Sequence, residues 1–155
     1  MIVTFTLNGV PAEVEAPPLA PLARVLREAL GLTGTKLTCA EGRCGSCTVL
    51  LDGRPVVSCL MPMVSVQGGA VVTIEGVAGV DGGLHPAQRA MLEHDGVQCG
   101  ICTPGMVMSI VALVAERPRA TEEEIRSALA GNLCRCTGYR GIVEAALSLT
   151  SGSAR

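Results

Sequence analysis

The chain has no tryptophan, one phenylalanine (Phe5) and one tyrosine (Tyr139) in 155 residues. A core of stacked rings is excluded, and apolar area must come from Val, Leu, Ala, Ile and Met. Long apolar runs are missing too. The longest, Met106–Ala115, is interrupted by Ser109 and has half of the roughly 20 residues a membrane helix needs. Charge is sparse and scattered: 12 Lys and Arg against 14 Asp and Glu, formally −2. That balance gives no electrostatic footprint for nucleic acid and no polybasic patch for a membrane surface. The first cation is Arg24, so MIVTFTLNGV lacks the charged segment and the small-residue cleavage site of a secretory signal. A soluble, cytoplasmic chain is expected, with export alongside a partner left open.

What the chain does have is cysteine. Cys39, Cys44, Cys47 and Cys59 form one quartet, with gaps of four, two and eleven residues. Cys99, Cys102, Cys134 and Cys136 form another, with gaps of two, thirty-one and one, and none of the eight is left over. In a reducing compartment such spacing favours metal over disulfides. The length suits one domain or two small ones. A chain of this size buries roughly two-thirds of its unfolded surface, so a core forms without disulfides.

The first half reads as β with one helix. Val3, Phe5 and Leu7 alternate with Thr4 and Thr6, which predicts a half-buried strand over Ile2–Leu7. Asn8-Gly9 is a hairpin turn, and a second strand returns through Glu13–Glu15. Leu22, Val25, Leu26, Ala29 and Leu30 recur at helical spacing, with Gly31 as the stop. Thr48–Leu51 and Arg54–Ser58 flank a second hairpin turn, Asp52-Gly53, and Val71–Glu75 is a last strand.

A linker is expected near Gly76–Gly83, dividing a domain of residues 1–76 from one of residues 84–155. Beyond it the period becomes helical, over Pro86–Glu93, Pro104–Glu116, Glu122–Ala130 and Tyr139–Leu149. Thr121 with Glu124 reads as a capping box, Gly131 as that helix's stop, and Pro104 as a first-turn residue. The tail Thr150–Arg155 reads as frayed.

The first spacing, in CAEGRCGSC with Cys59 beyond the hairpin, is the plant-type [2Fe–2S] pattern. Three thiolates on one short loop need a tight backbone. Gly42 and Gly45 supply positive φ and let N–H groups point at sulfur. A zinc knot would show paired short gaps instead. In the second quartet, each cysteine pair precedes a helix start, whose partial positive charge favours an anionic thiolate cluster. Spacing alone leaves zinc open there.

The strings TKLTCAEGRCGSCTVLLDG, VQCGICTPGMVMS and GNLCRCTGYRGIVEAA resemble the iron–sulfur subunit or domain of the xanthine oxidase family of molybdenum hydroxylases. The resemblance runs from about Val3 to Leu147 and includes all eight cysteine positions. It implies an α+β chain: a β-grasp, ferredoxin-like domain around the first quartet, then a four-helix-bundle domain around the second. It implies two [2Fe–2S] clusters that relay electrons singly. They would run from molybdopterin in a large catalytic subunit to an FAD-binding medium subunit or another acceptor, in a hetero-oligomer such as a dimer of heterotrimers. By the same resemblance Gln98 matches a glutamine that hydrogen-bonds the pterin, and Cys136 matches a cluster ligand that also approaches it. The chain alone would not turn over substrate. Ile101 and Thr38 depart from the family's usual aromatic residue and glycine.

Other residues carry less. His85 reads as a helix cap, His94 as a helix-end cation, Glu122–Glu124 as a solvated first turn, and Met106 and Met108 as packing. Arg135, between two cysteines, reads as a surface or interface ion-pair residue that can also tune a potential. Two rival readings are a free-standing ferredoxin-like carrier and a zinc-stabilised interaction module.

Overall fold

The computed structural model describes residues 1–78 and 82–150. Strands β1 (Ile2–Leu7) and β2 (Val10–Glu15) pair antiparallel, with Val3 opposite Val14 and Leu7 opposite Val10. Asn8 and Gly9 between them have φ of +51° and +83°, as a two-residue hairpin with the right-handed strand twist demands. Strands β3 (Thr48–Leu51) and β4 (Arg54–Val57) turn in the same way at Asp52 (φ +51°) and Gly53 (φ +78°). Strand β5 (Ala70–Val72) runs parallel to β1 and antiparallel to β3. The sheet order is therefore β2-β1-β5-β3-β4, with the last strand of the sequence at its centre.

Helix α1 starts over Leu22–Arg24 and widens into a π turn over Val25–Ala29. Leu30 N–H reaches back five residues to Val25 O, and Gly31 ends the helix at φ +69°. The Arg27 guanidinium donates to the Thr33 and Thr35 carbonyls at 2.8 and 2.9 Å, drawing the following chain back against the helix. Leu22, Val25 and Leu26 bury against Val3, Phe5, Val49 and Val71 of the sheet, forming one core.

The second half is built from α2 (Pro86–Glu93), α3 (Thr103–Glu116), α4 (Glu122–Leu129) and α5 (Arg140–Thr150). His85 caps α2: its Nδ1 accepts from Ala87 N–H, while its own N–H donates to Gln88. Thr121 and Glu124 form the expected reciprocal cap on α4. Helix α3 is buried on nearly every side, since it touches α2, α4 and α5 and also lies on β3 and β4. Met106, Met108, Ile110, Ile125 and Ile142 are fully buried there, and Leu50 of the sheet joins the same core. The methionines are packing residues. Among the described residues no helix is long and apolar enough to cross a membrane.

Some expectations need correction. The strand over Val71–Glu75 ends at Val72, because Thr73 N–H and Oγ1 turn to Asn8 Oδ1 and the chain enters a 3₁₀ turn at Ile74–Gly76. Ser58 lies outside β4; its N–H and hydroxyl both go to Cys47 O. Gly131 does not close α4 with a positive φ; the chain tightens instead through Ala130 N–H to Ser127 O and Asn132 N–H to Leu129 O. Thr150 is not frayed: it is buried in the last turn of α5. The rest of the predicted tail, residues 151–155, lies outside the described residues, as do residues 79–81 of the predicted linker. The linker's first part is ordered, with Val77 buried against the helical core.

Candidate metal centres

The first site is a loop between α1 and β3. Its backbone takes positive φ three times, at Ala40 (+56°), Gly42 (+73°) and Gly45 (+68°), which coils the chain around its own cysteines. Ala40 adopts this conformation without glycine's freedom, a local strain of about 1 kcal/mol or more. The coil turns backbone N–H groups inward. Those of Glu41, Cys44 and Arg43 bond to Cys39 and hold its thiol down to about 6. The Glu41 donor lies 3.4 Å from Cys39 Sγ. Cys47 and Cys59 are buried against Ala23 of α1. Burial pushes Cys59 up to about 11, helped by contact with Cys47, while the Gly42 N–H opposes this. The thiols thus meet two by two, Cys39 with Cys44 and Cys47 with Cys59. Around them, Ser46 Oγ lies 3.2 Å from Cys44 Sγ and donates to Thr38 Oγ1 at 2.9 Å.

The second site joins two segments far apart in sequence. Cys102 occupies the N-cap of α3, so its buried thiol lies at the positive end of a fourteen-residue helix. Burial pushes it up to about 12, and the neighbouring Cys134 adds to this. Burial also raises Cys134, but the Thr137 hydroxyl, 3.1 Å from its Sγ, and backbone N–H donors from Thr137 and Cys136 outweigh it and bring Cys134 to about 7. Cys136 pairs with Cys99, and that contact raises the Cys136 thiol. The pairs are therefore Cys99 with Cys136 and Cys102 with Cys134, each drawn from both segments. A cavity of about 300 Å³ is lined by all four of these cysteines, with Ile101, Leu133 and Arg135. Its wall also includes Thr38, Cys44 and Ser46 of the first site. Cys99, Cys136 and Gln98 face outward, whereas Cys102 is buried. Ile101 is also exposed, so its departure from an aromatic residue alters the rim, not the core.

Pairwise meeting has a chemical meaning. The closest contacts are two by two, and a third cysteine acts on each buried thiol: Cys39 on Cys59 and Cys99 on Cys102. A group with two metal atoms needs two thiolates at each end, and all-thiolate donors with inward N–H groups suit an anionic iron–sulfur cluster. The histidines stay apart from both sites: His85 caps α2 and His94 ends it.

Sequence reasoning missed several residues that shape these sites. The lone tyrosine, read only as a helix start, has φ +67°; its hydroxyl accepts from Cys134 N–H at 2.8 Å and donates to Asn132 O at 3.3 Å. Asn132 and the hydroxyls of Ser46 and Thr137 were not singled out either. A hydroxyl two or three residues from a cysteine was the available signal for the latter two.

A family profile described as "2Fe-2S iron-sulfur cluster binding domain" matches residues 5–67, and one described as "[2Fe-2S] binding domain" matches residues 73–147. A probable xanthine dehydrogenase subunit of Bacillus subtilis (strain 168) is 45% identical over 142 residues, covering 92% of this chain and 81% of that protein. The chain belongs to the iron–sulfur subunits of the xanthine oxidase family of molybdenum hydroxylases. Other members carry this unit within a larger chain. "Aldehyde oxidase 2" of Cavia porcellus is 44% identical over 99% of this chain, which spans only 12% of that relative's length. Among solved structures, quinoline 2-oxidoreductase from Pseudomonas putida 86 has a chain 41% identical that superposes with a TM-score of 0.92, covering 97% of this chain and 92% of that one. Both halves thus belong to [2Fe–2S]-binding families, in a mixed α+β fold shared with structurally known members.

Proposed function

We propose that this chain is the electron-relay subunit of a molybdenum hydroxylase. Cys39, Cys44, Cys47 and Cys59 would hold one [2Fe–2S] cluster, and Cys99, Cys102, Cys134 and Cys136 a second. When bound, each cluster supplies a site that accepts and releases one electron at a time. The observation that carries the reading is the two-by-two meeting of the thiols within each quartet, with Cys44 of the first reaching the cavity that all four cysteines of the second line. The chain's own groups do the rest. Burial of Cys47, Cys59 and Cys102 excludes water, and the N–H groups of Glu41, Arg43 and Gly42 offset thiolate charge.

The finer architecture belongs to the same proposal. Residues 1–76 act as a β-grasp, ferredoxin-like domain, supported by the parallel β1–β5 pair with α1 across the sheet. Residues 84–155 act as a four-helix bundle, supported by the mutual contacts of α2 to α5. The outward-facing Gln98 and Cys136 mark the input end, toward molybdopterin held by a large subunit. The first quartet is the output end, toward an FAD-binding subunit or an external acceptor in the cytoplasm. Arg135, exposed at the cavity rim, faces the input side. An exposed Gln98 beside the second quartet favours this over a free-standing ferredoxin-like carrier.

Co-purification tests the reading. Isolated from its source by a tag, the chain should bring a larger subunit and molybdenum, and its visible bands should bleach when the complex is given an aldehyde, purine or N-heterocycle that it oxidises. A chain that purifies alone without molybdenum contradicts it.

A further inference from the structure

The two cysteine sites meet at a buried polar junction. Asn132 is 3% exposed and faces both halves. Its Nδ2 donates to Gly45 O at 3.0 Å and to Thr48 Oγ1 at 3.3 Å, and its Oδ1 accepts from Ser109 Oγ of α3 at 2.8 Å. Thr48 Oγ1 itself donates to Gly45 O at 2.7 Å. One residue on, Leu133 N–H donates to Cys44 O at 2.9 Å. Consecutive carbonyls of the first loop are therefore gripped by consecutive residues of the second.

The fit is close. A Cβ on Gly105 would lie 2.1 Å from Gly45 O, and one on Gly45 would lie 2.3 Å from Gly131 O. Every side-chain polar atom of the junction is partnered, and a completed buried network of this kind is stiff. The Asn132–Gly45 bond joins residues 87 apart in sequence, and beside it the Leu133 N–H to Cys44 O bond ties the neighbour of Cys134 directly to Cys44.

We propose that Asn132 is a positioning residue that sets the separation of the two centres and so the rate of electron passage between them. This rests on the reading that each quartet holds a cluster. The step itself moves one electron: one reduced centre is oxidised as the other is reduced, with no bond made or broken. Asn132 touches neither sulfur group; it acts through Gly45 and through the neighbouring Leu133–Cys44 hydrogen bond.

The test uses the holoenzyme with Asn132→Asp, which keeps size but sets a carboxylate against Gly45 O, and Ser109→Ala, which only frees the amide. Iron and sulfide content, thermal midpoint, the magnetic splitting between the two reduced centres and inter-centre exchange after one-electron reduction are measured. Both variants should keep two signals, with a narrowed splitting and exchange slowed severalfold, more so for Asn132→Asp. Native splitting and exchange beside a lowered thermal midpoint would show a purely structural role and overturn the inference. Where Asn132→Asp does not load, the splitting and exchange of Ser109→Ala decide alone. A native protein without two signals sinks the two-cluster reading and this inference together; a native pair unmoved by the variants sinks the inference alone.

Discussion

The two cysteine sites each gather four thiols, by opposite means. The first takes three of them from the single stretch Cys39–Cys47 and coils it with Ala40, Gly42 and Gly45 at positive φ. Its charge is met by backbone N–H groups of that same stretch. The second takes two pairs from segments separated by α3 and α4, and its donors to Cys134 come from Thr137 and the Cys136 N–H. A site built from one loop depends on local conformation. A site built from two helix starts exists only when the helices pack.

The largest effect is expected when one ligand is removed from each site in turn. Cys59→Ser should lose the first centre and leave the second, and Cys102→Ser should do the reverse. Each would halve iron and sulfide and remove one of two paramagnetic signals. A single substitution that abolishes both signals would show that the sites are not separable.

Core deletions come next. Ile142 of α5 is fully buried in the core that also holds Cys102, and Leu26 of α1 in the core between α1 and the sheet, next to the helix residue Ala23 that packs on Cys47 and Cys59. Either change to Ala should cost about 2–5 kcal/mol in denaturant titrations. Ile142→Ala should lower the temperature at which the second signal disappears, with the first outlasting it. Leu26→Ala should disturb the first site less than its energetic cost suggests, because the loop's own turns persist.

Titration of the metal-free chain separates the sites further. Cys39 at about 6 and Cys134 at about 7 are thiolates near neutrality, whereas Cys59 at about 11 and Cys102 at about 12 stay protonated. Alkylation followed by mass mapping should therefore label Cys39 at lower pH than Cys134, and spare Cys59 and Cys102 at mildly alkaline pH. The linkage has opposite signs. The depressed Cys39 and Cys134 contribute folded-state stability that is full above the ordinary thiol value of 9.0 and lost as pH falls through about 6 to 7. The raised Cys59 and Cys102 contribute stability that is full below 9.0 and lost as pH rises through about 11 to 12.

The smallest effect expected is at a cap remote from both sites. Thr121→Ala removes the Oγ1 acceptor of Glu124 N–H and should cost about 1 kcal/mol, with both signals unchanged.

Local chemistry was readable and remote chemistry was not. Asn8-Gly9 and Asp52-Gly53 announce their hairpins because their own φ angles require such residues. Thr121 and Glu124 announce α4 because both partners lie within one turn. The central place of β5 depends on a parallel partner more than sixty residues away, which no local pattern encodes. Val71–Glu75 carries strand-forming residues, yet Asn8, at the end of the neighbouring strand β1, captures Thr73 and ends the strand early. At the sites, the cysteines and two of the turning glycines were legible, while Ala40 at positive φ was not. Asn132 and the Tyr139 hydroxyl were invisible because their partners appear only after folding.

The most direct test is iron, zinc and acid-labile sulfide analysis of the purified protein, combined with the low-temperature paramagnetic spectrum of its reduced form. Two unlike [2Fe–2S] centres predict about four irons and four sulfides per chain and two distinct signals. Zinc without sulfide, or half that iron with a single signal, would contradict the account.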